Sequence, residues 1–129
     1  MLPSTLVTGA SKGIGAATAR LLSAQGQHVL IHYAHDEAAA QAVAQDCRTL
    51  GAASVHLAQA DLAIEADVLK LFAYADQHLP PLTGLVNNAG IHADAVFPGM
   101  SAEQWHSVVD ASLHGFFNVT QPLTMPMIR

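Results

Sequence analysis

The sequence predicts an α/β fold built on a doubly wound parallel sheet, and three observations predict it. Short apolar runs alternate with amphipathic stretches, in strand-plus-helix units of about thirty residues, the length a βαβ crossover needs. Glycine or proline closes the first three amphipathic stretches, as expected where a helix must hand over to a strand. The two most glycine-marked turns, "TGASKGIG" and "NNAG", follow the first and fourth apolar runs. In such a sheet both turns lie beyond the carboxyl ends of the strands, where the strand order reverses and ligands bind.

"TLVT" (5–8) reads as a short buried strand. Residues 13–25 then carry Ile14, Ala17, Leu21 and Leu22 at helical spacing, and Gly26 closes that helix because glycine takes a left-handed turn without a Cβ clash. "HVLIHY" (28–33) is the second strand. From Asp36 to Leu50 the stripe Ala39, Val43, Cys47, Leu50 marks a second helix, closed by Gly51. "SVHLAQA" (54–60) is the third strand. Ile64, Val68, Leu71, Phe72, Ala75 and Leu79 line a third helix, stopped by Pro80 and Pro81. "GLVNNAG" (84–90) is a fourth strand running into a glycine turn. Residues 101–104, "SAEQ", form a capping box in which serine and glutamine each satisfy an orphan amide. Trp105, Val108, Val109, Ser112, Leu113 and Phe116 line one face of a fourth helix, whose far end Pro122 and Pro126 should disturb. Strand alternating with helix implies right-handed crossovers and helices on both faces of the sheet, a Rossmann-type layer structure about four strands wide.

Composition narrows the function. The 129 residues are 51% hydrophobic and 12% charged, which argues against disorder and supports one domain over 1–129, without linkers or repeats. A net charge of −5 with five Lys and Arg leaves no basic patch, so nucleic acid is not an expected partner. The single cysteine, Cys47, excludes an internal disulfide and suits a reducing cytoplasm. "MLPSTLVTG" has no basic n-region and no long apolar run, so neither a signal peptide nor a membrane anchor is expected there.

The first glycine turn carries the chemistry. In Gly9-x-x-x-Gly13-x-Gly15, Gly9 permits a sharp turn off the strand and Gly13 lets a ligand approach the backbone. Gly15 lets the helix pack close to the sheet. The helix amino terminus then offers unpaired N–H groups and about half a positive charge, a natural anion site. Ser11 adds a hydroxyl and Lys12 a full charge. No GK[ST] closes the motif, so it is not the phosphate loop of an ATPase. A plain glycine-rich strand-to-helix turn is the alternative, and the βαβ setting and the lysine weigh against it.

"TGASKGIG", "NNAG" and Asp61-Leu62 after the third strand resemble the short-chain dehydrogenase/reductase family, its 3-oxoacyl-[acyl-carrier-protein] reductase branch in particular, and the likeness continues through "WHSVVDASLHGFFNVTQPL". The resemblance implies that Gly9, Ser11, Lys12, Gly13, Ile14 and Gly15 hold the cofactor phosphates and adjoining ribose. It places Asp61 and Leu62 beside the adenine, and Asn88, Ala89 and Gly90 along the ribose and nicotinamide side. Asn87 is expected to tie neighbouring strands together. Asp61 could instead cap the third helix.

NAD readers usually place an acid at the end of the second strand, on the ribose 2′-hydroxyl. Tyr33, Ala34 and His35 stand there, and Asp36 beyond them is better placed to cap the next helix. A 2′-phosphate would find Lys12 and His35 with no carboxylate to repel it. NADP(H) is therefore expected as cofactor, ahead of NAD(H).

Reduction in the resembled family uses a tyrosine acid, a lysine four residues on, a serine and an asparagine. Glu37 stands four residues after Tyr33 and His78 four after Tyr74; the only lysines are Lys12 and Lys70, so this sequence holds no Tyr-x-x-x-Lys. In "DASLHG" the asparagine slot is filled by Ser112, which either bonds a water near the site or is buried and bonded to its own helix. The serine, tyrosine and lysine are expected beyond Arg129. The chain is thus expected to be the cofactor-binding part of a longer carbonyl reductase, incomplete at its C-terminus and inactive alone. A non-catalytic nucleotide-binding half-domain is the alternative. A sheet ending at strand four favours the first reading, because it leaves an unpaired edge and a partly uncovered helix stripe.

The resemblance further implies a small-molecule or acyl-carrier-bound carbonyl substrate, and a homodimer or homotetramer of the full-length form, built through the helix containing Trp105–Met127 and the one after it. Among the eight histidines, His28, His32 and His35 cluster on and after strand two without a Glu or Cys to complete a ligand set, so no metal is expected. Cys47 on a helix stripe is expected to pack.

Overall fold

The computed structural model describes residues 2–89, 101–103, 106 and 114–128. Four strands form one parallel sheet: β1 (Ser4–Val7), β2 (His28–Tyr33), β3 (Ser54–Gln59) and β4 (Gly84–Val86), in the order β3-β2-β1-β4. The order reverses between β1 and β4. The parallel register sets Leu6 opposite Leu30 on one side and Leu85 on the other, so three strands contribute to one apolar row.

Alternation along the strands divides the core into two layers. Val7, Val29, Ile31 and Tyr33 face one side, where α1 (Gly13–Ala24) and α2 (Glu37–Leu50) cover them with Ala16, Ala19, Ala40, Val43, Ala44 and Cys47. Leu6 and Leu30 face the other, under α3 (Glu65–His78) and α4 (Gly115–Ile128), which contribute Val68, Leu71, Ala75 and Val119. The α/β doubly wound class is as the sequence predicts. The helix stops also hold: Gly26 and Gly51 take positive φ after α1 and α2, and Leu79 before Pro80 is extended, as a residue preceding proline should be.

Several expectations need correction. The buried face of α1 is Gly15, Ala16, Ala19 and Ser23, whereas Ile14 and Leu21 are 77% and 60% exposed and Ala17 is exposed. Close packing of α1 on the sheet and on α2 admits only small side chains, and the larger apolar ones are turned outward. On α2, Val43 and Cys47 are buried as predicted but Leu50 is 45% exposed. The fourth strand proper is only Gly84–Val86, because Asn87 to Ala89 leave the ladder to bond side chains elsewhere. Finally, α4 runs through both Pro122 and Pro126 instead of being disturbed by them. The four-residue spacing concentrates the loss, since Pro126 lacks the amide that would meet the carbonyl of Pro122. Phe116, expected on the buried face, is exposed; Val119 and Leu123 are buried instead. The capping box through Gln104 and the residues Trp105, Val108, Val109 and Leu113 lie outside the described residues.

A substitution pair tests the corrected α1 face. Ala19→Leu, which forces a large side chain into a fully buried slot, should cost about 1–3 kcal/mol in urea unfolding. Leu21→Gln should change stability by no more than about 0.5 kcal/mol. The reverse ranking would restore the stripe read from the sequence.

Candidate functional site

β1 ends against the end of β4, and the chain turns there into α1. Thr8 organises the meeting point: its Oγ1 accepts from the amides of Asn88 (3.0 Å) and Ala89 (2.9 Å) and donates to the carbonyl of Val86 (3.3 Å). One hydroxyl therefore satisfies the two amides that the end of the β-ladder leaves over, and adds a second bond to the Val86 carbonyl, which already accepts from the Thr8 amide at 3.0 Å. Asn88 answers from the other side, its Nδ2 donating to the carbonyl of Gly9 at 3.0 Å.

The glycines are there for space as well as for conformation. Gly9 has φ +62°, and a Cβ on it would sit 2.8 Å from the Cα of Ala89. A Cβ on Gly15 would lie 2.4 Å from the Gly9 carbonyl oxygen and 2.5 Å from the Asn88 amide nitrogen. Gly13 differs: with φ +61°, it has nothing within 4 Å of the place a Cβ would take. Two glycines are crowded by protein and one opens on free space.

That opening is the mouth of α1. Lys12 is its N-cap in extended conformation and provides no side-chain cap. The first amide to bond back into the helix is that of Ala16, to the carbonyl of Lys12 at 3.3 Å. The amides of Gly13, Ile14 and Gly15 precede it, so they are the orphan donors of the helix start. Lys12, Gly13 and Ile14 are exposed and Ser11 is half-buried. Donors, open backbone and an ammonium group together suit an anion, which is the fit a dinucleotide diphosphate requires.

A cleft of about 340 Å³ lies past the ends of β2 and β3, lined by Ala34, His35, Gln59, Asp61, Asp67 and Lys70. Gln59 Nε2 donates to the Ala34 carbonyl at 3.0 Å, bracing the β2 end. Asp61 is exposed and accepts from the amide of Ala63 through Oδ1 at 3.0 Å, while its own amide donates to Asp67 Oδ2 at 2.9 Å. It forms a local turn ahead of α3, whose N-cap is Ile64, and so does not cap that helix. Leu62 turns its side chain into the core beneath α4, leaving its main chain as what it can offer a ligand. Its carbonyl already accepts from Asn118 Nδ2 at 2.8 Å.

At the end of β2, Tyr33 is buried among the α1–α2 layer, and burial with the nearby Glu37 carboxylate pushes its phenol upward. Asp36 caps α2, accepting from the Ala39 amide at 2.9 Å, as the sequence suggested. Asn87 does not tie neighbouring strands: its Nδ2 donates to Thr120 on α4 at 2.9 Å. Asn88 makes the inter-strand tie. Gly90 and Ser112 lie outside the described residues.

Two participants escaped the sequence reading. Thr8 lay in plain view within "LVTGAS", but only the approach of β4 shows what its hydroxyl does. His32 was grouped with His28 and His35 as part of a possible metal cluster. The three have separate settings: His28 Nδ1 meets Ser54 Oγ at 2.7 Å, His35 is exposed, and His32 is buried with both ring nitrogens engaged. A polar side chain inside an otherwise wholly buried strand was the available signal. Among the described residues, no three His, Cys, Asp or Glu side chains are grouped to hold a metal.

With this geometry in view, comparison with known proteins is decisive. The family model of the short chain dehydrogenases matches residues 4–129. The chain belongs to the short chain dehydrogenase family. It is 38% identical over 130 residues to a 3-oxoacyl-[acyl-carrier-protein] reductase FabG of Aggregatibacter actinomycetemcomitans, covering all of this chain and 53% of that protein. It is 38% identical over 123 residues to an acetoacetyl-CoA reductase of Paracoccus denitrificans, covering 95% of this chain and 48% of the other. A crystal structure of a protein assigned as a gluconate dehydrogenase from Agrobacterium tumefaciens superposes with a TM-score of 0.87 at 28% identity, over 98% of this chain and 49% of that one. The chain thus spans about half the length of the family members it matches.

The segments that follow β1 and β4 meet through Thr8 and Asn88, and this junction can be tested by itself. Thr8→Val keeps the shape and deletes the hydroxyl, stranding the amides of Asn88 and Ala89; it should cost about 2–4 kcal/mol in denaturant unfolding, while Thr8→Ser should recover most of that. Equal losses for both variants would refute the hydrogen-bond account.

Stability should also respond to pH. Burial lowers the pKa of His32, against the raising effects of the Ala60 carbonyl and Asp61. Burial, then His78, His28 and Arg48, lowers that of His56. Below the ordinary imidazole value of about 6.5 the unfolded chain takes up protons that the folded one resists, so these groups stabilise the fold fully above that pH and less as pH falls toward their folded values. Thermal melts should show Tm flat between about pH 7 and 8 and declining below about 6.5. A Tm rising on acidification over that range would contradict the assignment.

Proposed function

We propose that residues 1–129 form a single dinucleotide-binding domain of an NADP(H)-dependent carbonyl reductase acting on a 3-oxoacyl thioester. The open mouth of α1 carries this reading: three leading amides, the unobstructed Gly13 and the exposed Lys12, all set where the strand order reverses. Gly9, Ser11, Lys12, Gly13, Ile14 and Gly15 hold the diphosphate and adjoining ribose. Asp61, through its carboxylate, and Leu62, through its main chain, flank the adenine, and Tyr33, Ala34 and His35 border the adenosine ribose. Asn88, Ala89 and Gly90 line the nicotinamide side.

NADP(H) is favoured over NAD(H) because Asp36, the first carboxylate in the chain after β2, is committed to capping α2, while Lys12 and His35 are both exposed. The bound nicotinamide supplies the hydride that reduces the carbonyl. This chain's residues bind and orient it. Neither tyrosine suits the role of proton donor, for Tyr33 is buried and Tyr74 stacks at 4.4 Å on His78, on the face of α3 toward β3. The domain alone should therefore bind without turnover, and Ser112 fills the sequence slot in which the family carries an asparagine that holds a water chain. The substrate class rests on the two reductases named above, both of which act on 3-oxoacyl thioesters by name. A cytoplasmic setting fits the single buried thiol of Cys47, and assembly of the whole reductase into a dimer or tetramer fits the exposed Phe116, Phe117 and Met125 of α4. Among the described residues, no helix is long and apolar enough to cross a membrane.

A second reading, a nucleotide-binding module without chemistry, is favoured by the absence of Tyr-x-x-x-Lys from the 129 residues. Calorimetric titration with NADPH and NADH tests the first point. NADPH should bind more tightly, and Lys12→Met should weaken NADPH by about tenfold and NADH by clearly less. Equal weakening removes Lys12 from the 2′-phosphate; no binding of either nucleotide removes the function. With acetoacetyl-CoA present, the chain should bind NADPH without oxidising it, and turnover would show that its acid and base lie within these residues after all.

A further inference from the structure

His32 stands at the back of the glycine turn and joins three strands' ends. Its Nδ1 accepts from the Gly9 amide at 3.0 Å, and its Nε2 meets the Ala60 carbonyl at 2.8 Å just past β3. A carbonyl can only accept, so Nε2 carries the proton and Nδ1 is left as the acceptor that Gly9 needs. The main chain of the same residue takes the next amide, Ala10 N to His32 O at 2.9 Å. Asn88 meanwhile holds the Gly9 carbonyl. The turn's amides are thereby divided: those of Gly9 and Ala10 face inward to residue 32, and those of Gly13, Ile14 and Gly15 are left for a ligand.

We propose that His32 is a positioning residue for the dinucleotide, fixing the positive-φ turn at Gly9 through a neutral Nδ1, and that protonating it disengages the turn and weakens cofactor binding. The inference rests on the dinucleotide reading above. On protonation Nδ1–H would point at the Gly9 N–H, donor against donor, with the ring pinned by Ala60 and no room to leave a core in which His32 is 2% exposed. The first turn presents the uncharged Gly9 to the ring, and the β3–α3 connection contributes Asp61, whose charge favours protonation. Burial outweighs it and lowers the pKa, so affinity should hold through the ordinary imidazole range and fall only below it.

Two variants separate this role from simple packing, because each keeps one of the two bonds. In His32→Asn the side-chain oxygen sits near the place of Nδ1 and can still accept from Gly9; in His32→Gln the amide nitrogen reaches toward the Ala60 carbonyl but leaves Gly9 unpaired. Calorimetric titration of NADP⁺ into the purified protein at about pH 8 should find Asn within about threefold of the unaltered protein and Gln weaker by about tenfold or more. The affinity of the unaltered protein relative to His32→Asn should then drop as pH falls and His32 protonates, followed by ¹⁵N NMR of the ring; other titrating groups cancel in that ratio. Gln binding as well as Asn overturns the proposal, as does a constant ratio while the ring titrates. If the ring does not titrate before acid unfolding, the Asn–Gln contrast decides; if the variants fail to fold, the pH dependence of the unaltered protein decides, and affinity unchanged across the titration of His32 overturns it. Failure of the unaltered protein to bind at any pH strikes instead at the dinucleotide reading, which the ring's tautomer and its bond to Gly9 would survive as structure alone.

Discussion

Everything at the carboxyl edge of this sheet depends on one close approach. β4 pairs with β1, and the backbone after β4 presses against the backbone after β1, so closely that Gly9 and Gly15 leave no room for a methyl group. Hydrogen bonds turn that contact into a fixed geometry. Thr8 collects the two amides that follow β4, Asn88 returns a bond to Gly9, and His32 holds the Gly9 amide from behind. Glycine is needed at this joint for two separate reasons, conformation at Gly9 and clearance at Gly15, and only the third, Gly13, is left to face solvent.

The same economy shapes the layer above the sheet. α1 must lie close to β1 for its amino terminus to end at the turn, and the closeness is achieved with Gly15, Ala16, Ala19 and Ser23 on its inner face. The price is an outer face carrying Ile14 and Leu21 in solvent. α2 follows the same rule with Ala40 and Ala44, and a surface pair, Arg20 with Asp46 at 3.1 Å, links the two helices at a site too exposed to contribute more than about 1 kcal/mol. The helices on the opposite side meet the sheet through larger residues, Val68, Leu71 and Val119. The two faces are packed differently because only one holds a helix start against the glycine turn.

Much of this was legible in the chain. The alternation of "HVLIHY" and "SVHLAQA" with helical stripes identifies strands and order of elements, and the spacing of Gly9, Gly13 and Gly15 identifies the tight turn from β1 into α1 before any coordinate is known. Asp36 was readable as a cap because it falls just past a strand and just before a helical stripe. What was not legible depended on contacts distant in the chain. Hydrophobic periodicity assigns an inner face by size, so it chose Leu21 over Ala19, and only the nearness of the sheet and α2 reverses that choice. The prolines of α4 read as breakers on local grounds, yet packing through Val119 and Leu123 holds the helix through them. Asn87 and Asn88 are adjacent and identical in type, and nothing local tells that one reaches α4 and the other the glycine turn. His32 could be noticed as a histidine in a buried strand, but its two partners lie on other strands' ends.

The central claim is that the first turn of α1, not the cleft beside α3 alone, receives the phosphates of a nicotinamide dinucleotide. Amide-resolved NMR during titration with NADP⁺ addresses it most directly. The account predicts that the amide resonances of Gly13, Ile14 and Gly15 shift most and saturate together, with those of Asp61 and Leu62 following the adenine, while Gly9, already bonded to His32, moves little. Saturable shifts confined to residues elsewhere, with Gly13 to Gly15 unmoved, would contradict it.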